Sequence, residues 1–182
     1  MTEILTPFPA PTAPPPLTAS PVEFLVAEFG PAMFRVAASI VSDRALAEDV
    51  VQESLLKAWQ HLDEYRGEAS IRSWVLRITH NTAISMLRRR REEVRSPESL
   101  TDVSADDAPD VERTVSGRAA LRGVWAALDQ LEPTTRTVIV LREVERMTYE
   151  EIGEILALPL PTVKTRLFRG RRQLAELLKE WR

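Results

Sequence analysis

Between Thr148 and Arg172 the chain writes one short helix, a stop and a second helix of opposite charge, a combination that few folds accommodate. Thr148 and Glu151 have the spacing of a capping box, in which the Thr side chain accepts from a first-turn N–H and the Glu reaches back to the cap. Ala157-Leu158-Pro159 breaks that helix. Pro161 then falls in the first turn of the next, where its missing N–H costs little. Val163, Leu167, Gly170 and Leu174 recur at spacings of four, three and four, so they share the face that packs on the first helix. Thr165, Phe168, Arg169 and Arg172 point the other way, with Lys164 at the edge. Lys164, Arg166, Arg169, Arg171 and Arg172 occur between Ala157 and Gln173 without one acid, whereas residues 143–154 carry Glu143, Glu145, Glu150, Glu151 and Glu154. An ordinary solvated helix mixes its charges. Segregation of this kind favours a surface facing phosphates, and a helix so placed after a tight turn suits the DNA major groove.

The net charge of −3 over 182 residues gives no sign of nucleic acid, so the case rests on local distribution. That length suits one medium domain or two small ones. The absence of cysteine excludes disulfides and thiolate metal sites and fits a reducing cytoplasm. His61 and His80 are too few and too isolated for a zinc site, and both read as surface or packing residues; no metal or cofactor is expected. No apolar run approaches the roughly 20 residues of a membrane span. The N-terminus lacks the basic start and greasy core of a secretory signal.

The pattern predicts an all-α chain of two small helical domains joined by a flexible acidic linker. Residues 1–21 hold seven of the thirteen prolines and read as a disordered tail. Residues 22–91 are helical by period: Val51, Leu55, Trp59 and Leu62 form one stripe, and Ile71, Val75, Ile78 and Thr82, joined by Trp74, form another, both assigned to the core. Gly30-Pro31 is expected to bend or restart the first helix. Residues 92–118 carry eight acids against three arginines with no apolar period, the composition of a spacer, or of a segment that mimics nucleic acid in a basic channel. Residues 119–182 resume helix, with Pro133 opening a helix and Val138–Leu141 helical despite its strand propensity.

The first domain has its own cationic surface. From Arg66 to Arg91 seven arginines oppose Glu68 alone. Ser73, Arg77, His80 and Arg88 lie opposite the Ile71/Val75/Ile78 stripe, and a loop upstream, 63–68, contains Tyr65, read as an exposed ring able to stack an unwound base. The Arg88–Arg91 run also suits a helix C-terminus electrostatically. Asp49, Gln52, Glu53, Leu56 and Gln60 share one side of the 45–61 helix. Taken alone that is a solvated face, with Leu56 hinting at a protein partner.

With both domains in view, the chain resembles the bacterial extracytoplasmic-function sigma factors, the smallest class of the sigma-70 family. The resemblance is carried by Ala47–Glu53, by Ile71–Val75, by the His80–Arg91 run and by Pro161–Arg169, in the family's order and separation. It implies region 2 at 22–91 and region 4 at 119–182. It further implies docking of Asp49, Gln52, Glu53 and Leu56 on the clamp helices of the largest polymerase subunit, with region 4 on the flap of the second-largest. Tyr65, Arg66, Arg72, Ser73, Arg77, His80, Asn81 and Arg88 would open and read the −10 element. Thr162, Lys164, Thr165, Arg166, Phe168, Arg169 and Arg172 would read the −35 element. An anti-sigma partner would hold such a protein inactive. Ala157 and Pro161 depart from the pattern, standing where the family often carries Gly. Two rivals remain on the sequence: a stand-alone helix-turn-helix repressor or activator, and a DNA-cleaving enzyme using Asp63, Glu64 and Tyr65.

Overall fold

Ser20 and Glu23 set the start of the first helix. The Ser20 N–H donates to the Glu23 carboxylate at 3.1 Å in a capping box, and Pro21 occupies the first turn. The structure, a computed structural model, describes residues 20–95 and 123–181, so most of the proline-rich tail and of the acidic linker lie outside the described residues. The described elements are α1 (Pro21–Val41), α2 (Arg44–Gln60), α3 (Ile71–Arg95), α4 over 123–129, α5 (Pro133–Ile139), α6 (Tyr149–Leu156) and α7 (Leu160–Leu177). Among the described residues there is no strand. Val138–Leu141 is helical, because α5 runs into a π-helical turn, Val140–Val144, and all four side chains are buried. Helix α3 continues four residues past Arg91, into the acidic segment.

Pro31 does not restart α1, which runs unbroken through it. A helix-interior proline costs about 3 kcal/mol relative to alanine. Pro31 and Ala27, whose carbonyl it leaves unpaired, are both exposed, so water can satisfy that oxygen. Burial of Leu25, Phe29, Met33, Val36 and Ile40 on the opposite face, at about 1.5–3 kcal/mol each, more than offsets the loss. These residues also make α1 long and apolar enough to cross a membrane by length and composition, contrary to the sequence expectation. Half of its apolar window is inside the fold, as in the core helix of a globular protein.

Helix α2 is turned differently from its expected stripe. Ala47, Val50, Ser54 and Ala58 are the buried positions, Val51 and Leu55 are half-buried, and Trp59 is 52% exposed. Small inner side chains let the α2 backbone sit close on α1 and α3, which leaves the bulkier groups outside. Asp43 caps α2 by accepting from the Leu46 N–H at 3.0 Å and is bound by Arg90 of α3 at 3.1 Å. The Leu46 amide and then the Arg90 guanidinium hold its carboxyl below the ordinary range.

In the C-terminal half Glu132 caps α5, accepting from the Thr134 and Thr135 N–H groups at 3.1 and 3.0 Å. Burial alone would raise its carboxyl, but these amides and the threonine side chains lower it to about 2. It therefore stays ionised and also holds Arg166 of α7 at 2.5 Å.

The two halves are more than tethered. Helix α1 lies against α5 and the π-helical turn, α3 lies against α6, and one apolar cluster runs from Leu25 to Leu167. Ser39 donates to Thr137 Oγ1 at 3.1 Å, and Arg136 donates to Ser42 Oγ. Periodicity marks which face of a helix is apolar, but not whether its cover comes from the same half.

Candidate nucleic-acid interface and polymerase-docking face

Helices α6 and α7 meet in the arrangement that the capping signals predict. Thr148 accepts from the Glu151 N–H at 3.2 Å, and the Glu151 carboxylate accepts from the Thr148 N–H at 2.7 Å. Ala157 then closes α6 in the left-handed region, φ 52° and ψ 45°, while the Leu158 N–H donates back to the Gly153 carbonyl at 2.9 Å. A side chain at Gly153 would stand 3.0 Å from the Leu158 carbonyl, so this glycine, unmarked in the sequence reading, is what lets the turn fold back. Ala157 has no such freedom and is strained. Ala157→Gly should raise stability by about 1 kcal/mol, a gain of several degrees in a thermal melt; an unchanged Tm would mean that the turn carries no strain.

Val163, Leu167 and Gly170 face inward, with Leu174 half-buried. Gly170 is required by contact: an added Cβ would meet Thr135 Cγ2 at 2.8 Å and Ile139 at 3.1 Å, so α7 crosses α5 closely there. Opposite, Lys164, Thr165, Phe168, Arg169 and Arg172 are exposed, Phe168 at 69%. Thr162 is half-buried in the first turn. Two of the five cations are engaged within the fold: Arg166 binds Glu132 and Thr135, and Arg171 binds Glu143 at 2.6 Å. Arg166, which the resemblance implies as a −35 contact, is thus engaged by its own domain. Lys164, Arg169 and Arg172 pair with no carboxylate among the described residues.

On the N-terminal half, Tyr65 is half-buried rather than exposed. Its hydroxyl donates to the Ala69 carbonyl at 2.5 Å and its ring lies 5.3 Å from that of Trp74. This holds the 63–70 loop against the start of α3 and forms a cavity of about 310 Å³ lined by Tyr65, Arg66, Trp74, Arg77 and, from α6, Glu154. A second, more open groove on the other side of Trp74 is lined by Lys57, His61 and Asn81. Arg66, Arg77, Asn81 and Arg88 are exposed. Burial pushes the half-buried His80 imidazole below its ordinary value, against the weaker opposing effect of the hydrogen bond between its Nδ1 and the accepting Asn81 Oδ1 at 3.3 Å. Ser73 does not face solvent as expected, and Arg72, its side chain 39% exposed, is already paired within the fold. Arg72 donates to Glu145 at 2.5 Å, and Ser73, 3% exposed, donates to Glu151 at 3.1 Å. No cluster of His or acidic side chains able to hold a metal occurs among the described residues.

The outer face of α2 presents Asp49, Gln52 and Leu56, the last 57% exposed, with Glu53 half-buried and held by Lys57 at 2.6 Å. Trp59, assigned by period to the core, extends this face by one turn. Two large apolar groups flanked by acids mark a protein-binding surface.

Residues 25–93 match the family model of sigma-70 region 2, and residues 121–174 match that of sigma-70 region 4. The chain is an extracytoplasmic-function sigma factor of the sigma-70 family. It is 33% identical over 171 residues to the RNA polymerase sigma-H factor of Pseudomonas aeruginosa, with 86% of each chain covered. It is 34% identical over 157 residues to the ECF RNA polymerase sigma factor SigE of Mycolicibacterium smegmatis, spanning 85% of this chain but 60% of that relative. Among solved structures it resembles the sigma factor RpoE of Bartonella quintana, crystallised with the anti-sigma factor NepR. That match has a TM-score of 0.71 and 29% identity and covers 85% of this chain and 94% of the other. It also resembles CnrH in complex with the cytosolic domain of CnrY, with a TM-score of 0.62 and 27% identity over 87% and 88%. The family matches span both the outer face of α2 and the α6–α7 pair, so the two surfaces belong to one sigma factor.

Proposed function

We propose that this chain is the non-catalytic specificity subunit of a cytoplasmic RNA polymerase, docking on core through α2 and reading a promoter at two places. Region 2 occupies residues 22–91 with α3 running on to Arg95, and region 4 occupies 119–182. The observation that carries the reading is the division of α7: its apolar face is buried on α5 while Lys164, Phe168, Arg169 and Arg172 stand exposed together. Those side chains meet the −35 element in the major groove, where an Arg can bind a guanine edge bidentately. The cavity beside Tyr65 and Trp74 receives a base unstacked from the −10 element, with Arg66 and Arg77 on its backbone and Asn81 and Arg88 further along the strand. Each half alone makes few contacts. Fixing both on one polymerase raises their effective concentration and ties recognition to two elements at the right spacing. The likeness to a sigma factor crystallised with an anti-sigma factor supports control of this chain by such a partner.

Arg169→Ala should weaken −35 binding by about 1–3 kcal/mol, roughly 5- to 150-fold, and relax base preference there. Run-off transcription with purified core on promoters varied at the −35 element measures this, and an unchanged preference rejects the role. The same assay separates this reading from a stand-alone repressor, which would yield no specific start site with core.

A further inference from the structure

The arginines that close α3 do not share one role. Arg90 is half-buried and tied to Asp43, the cap of α2, at 3.1 Å, whereas Arg88, Arg89 and Arg91 are exposed. Of these three, Arg89 lines a groove of about 540 Å³ between the end of α3 and the first turns of α2. Asp43, Leu46, Asp49 and Met86 line it too, and the half-buried Leu46 and Met86 pack against the apolar core. Arg89 pairs with no carboxylate and Asp49 with no cation among the described residues. The groove also joins the docking face of α2. Ala45, Asp49, Gln52, Leu56 and Trp59, all exposed, recur along α2 at spacings of four, three, four and three, and Asp49 belongs both to this stripe and to the groove. A side chain seated there meets an acid, a guanidinium and apolar atoms together.

DNA is a poor occupant for such a groove. A phosphate reaching Arg89 would stand beside the carboxylates of Asp43 and Asp49, and the Leu46 amide and Arg90 keep Asp43 ionised. The exposed side of α7, by contrast, carries cations without acids. A protein surface bearing both signs of charge fits, because paired charges across an interface fix its register. We infer, on the basis of the α2 docking proposed above, that α3 contributes to the same interface: Arg89 receives an acidic side chain of the core clamp helices, and Asp49 a basic one. Docking then spans two helices, and the Asp43–Arg90 pair that joins them at this end sets the geometry of the surface offered to core. The Arg88–Arg91 run is thereby divided between an internal tie, a polymerase contact and outward cations.

In the full-length chain, Arg89→Glu should lower affinity for the source organism's core, titrated without DNA, about tenfold, while Arg89→Lys keeps most of it. Arg91→Glu makes the same change in net charge about 200° further round the helix and should leave core affinity close to the parent's. Equal losses from Arg89→Glu and Arg91→Glu overturn the contact, since overall charge would then account for both. The chain has no native cysteine, so a single Ala45→Cys carrying a benzophenone label reports what covers the groove. In the holoenzyme–promoter complex it should attach to the largest polymerase subunit; attachment to promoter DNA instead overturns the inference. Parental core affinity in Arg89→Glu, beside a loss in Asp49→Lys with Glu53→Lys, overturns the part played by α3 and leaves docking through α2 standing. Parental affinity in both variants overturns the α2 docking itself, and the groove with it.

Discussion

Reversing both acids of the α2 face, as Asp49→Lys with Glu53→Lys, should reduce affinity for core polymerase by about 100-fold or more, near 2.7 kcal/mol, while leaving the helical fold intact. Asp49 is exposed and Glu53 half-buried, and neither caps a helix. The internal cost is small. The change replaces the Glu53–Lys57 pair by like charges four residues apart, worth only tenths of a kcal/mol on a helix surface. Across an interface, by contrast, placing cations where a partner is arranged for anions both loses attraction and adds repulsion, and such juxtapositions cost several kcal/mol. Leu56 and Trp59 supply the apolar part of the same surface. Trp59→Ala should therefore weaken docking as well without unfolding α2, because the indole is half in solvent already. Co-sedimentation or fluorescence titration with core, beside far-UV circular dichroism of the free chain, measures both. Normal association of the double variant would move the docking site elsewhere.

Arg136→Ala should cost about 3–5 kcal/mol of stability, the largest loss expected from one substitution outside the apolar core. Its side chain is 5% exposed and is the polar centre of one end of the fold. It donates to the Asp129 carbonyl at 3.0 Å, to the Leu131 carbonyl at 3.4 Å and to Ser42 Oγ, and it pairs with the Asp129 carboxylate at 2.9 Å. It thereby ties the exit of α4 and the end of α1 to α5. Alanine leaves the buried Leu131 carbonyl without a charged donor and opens a void where the guanidinium stood, and both effects add. Lysine would restore charge but not the planar fork that reaches several acceptors at once, so Arg136→Lys should recover only part of the loss. Urea denaturation of the two variants gives the comparison; a shift under 1 kcal/mol for alanine would mean that water replaces the network.

What could be read from the residues alone had local causes. A capping box, a proline in a first turn, an apolar face at helical spacing and a stretch of cations without acids each act within one or two turns of chain, so α6 and α7 and the exposed side of α7 followed from the order of residues. The same held for the two helical halves and for the exposed acids of α2. Other features were set by contacts between residues distant in sequence. Trp59 was assigned inward because period alone cannot say which of two adjacent stripes a helix buries; the small side chains at Ala47, Ser54 and Ala58 decide that by allowing close approach. Pro31 was expected to interrupt α1, and packing of the opposite face carries the helix through. Arg72, Ser73 and Arg166 are implied as DNA contacts with no sign of their internal pairing, because their acidic partners lie 73, 78 and 34 residues away. Glu145 was one acid among five in its segment, and only the meeting of α1, α3 and the π-helical turn encloses it. Helix boundaries and charge segregation are short-range properties and belong to the sequence. Which charges end up paired, and which surfaces stay open to DNA, depends on how the two halves close on each other, and that was decided by the tertiary structure.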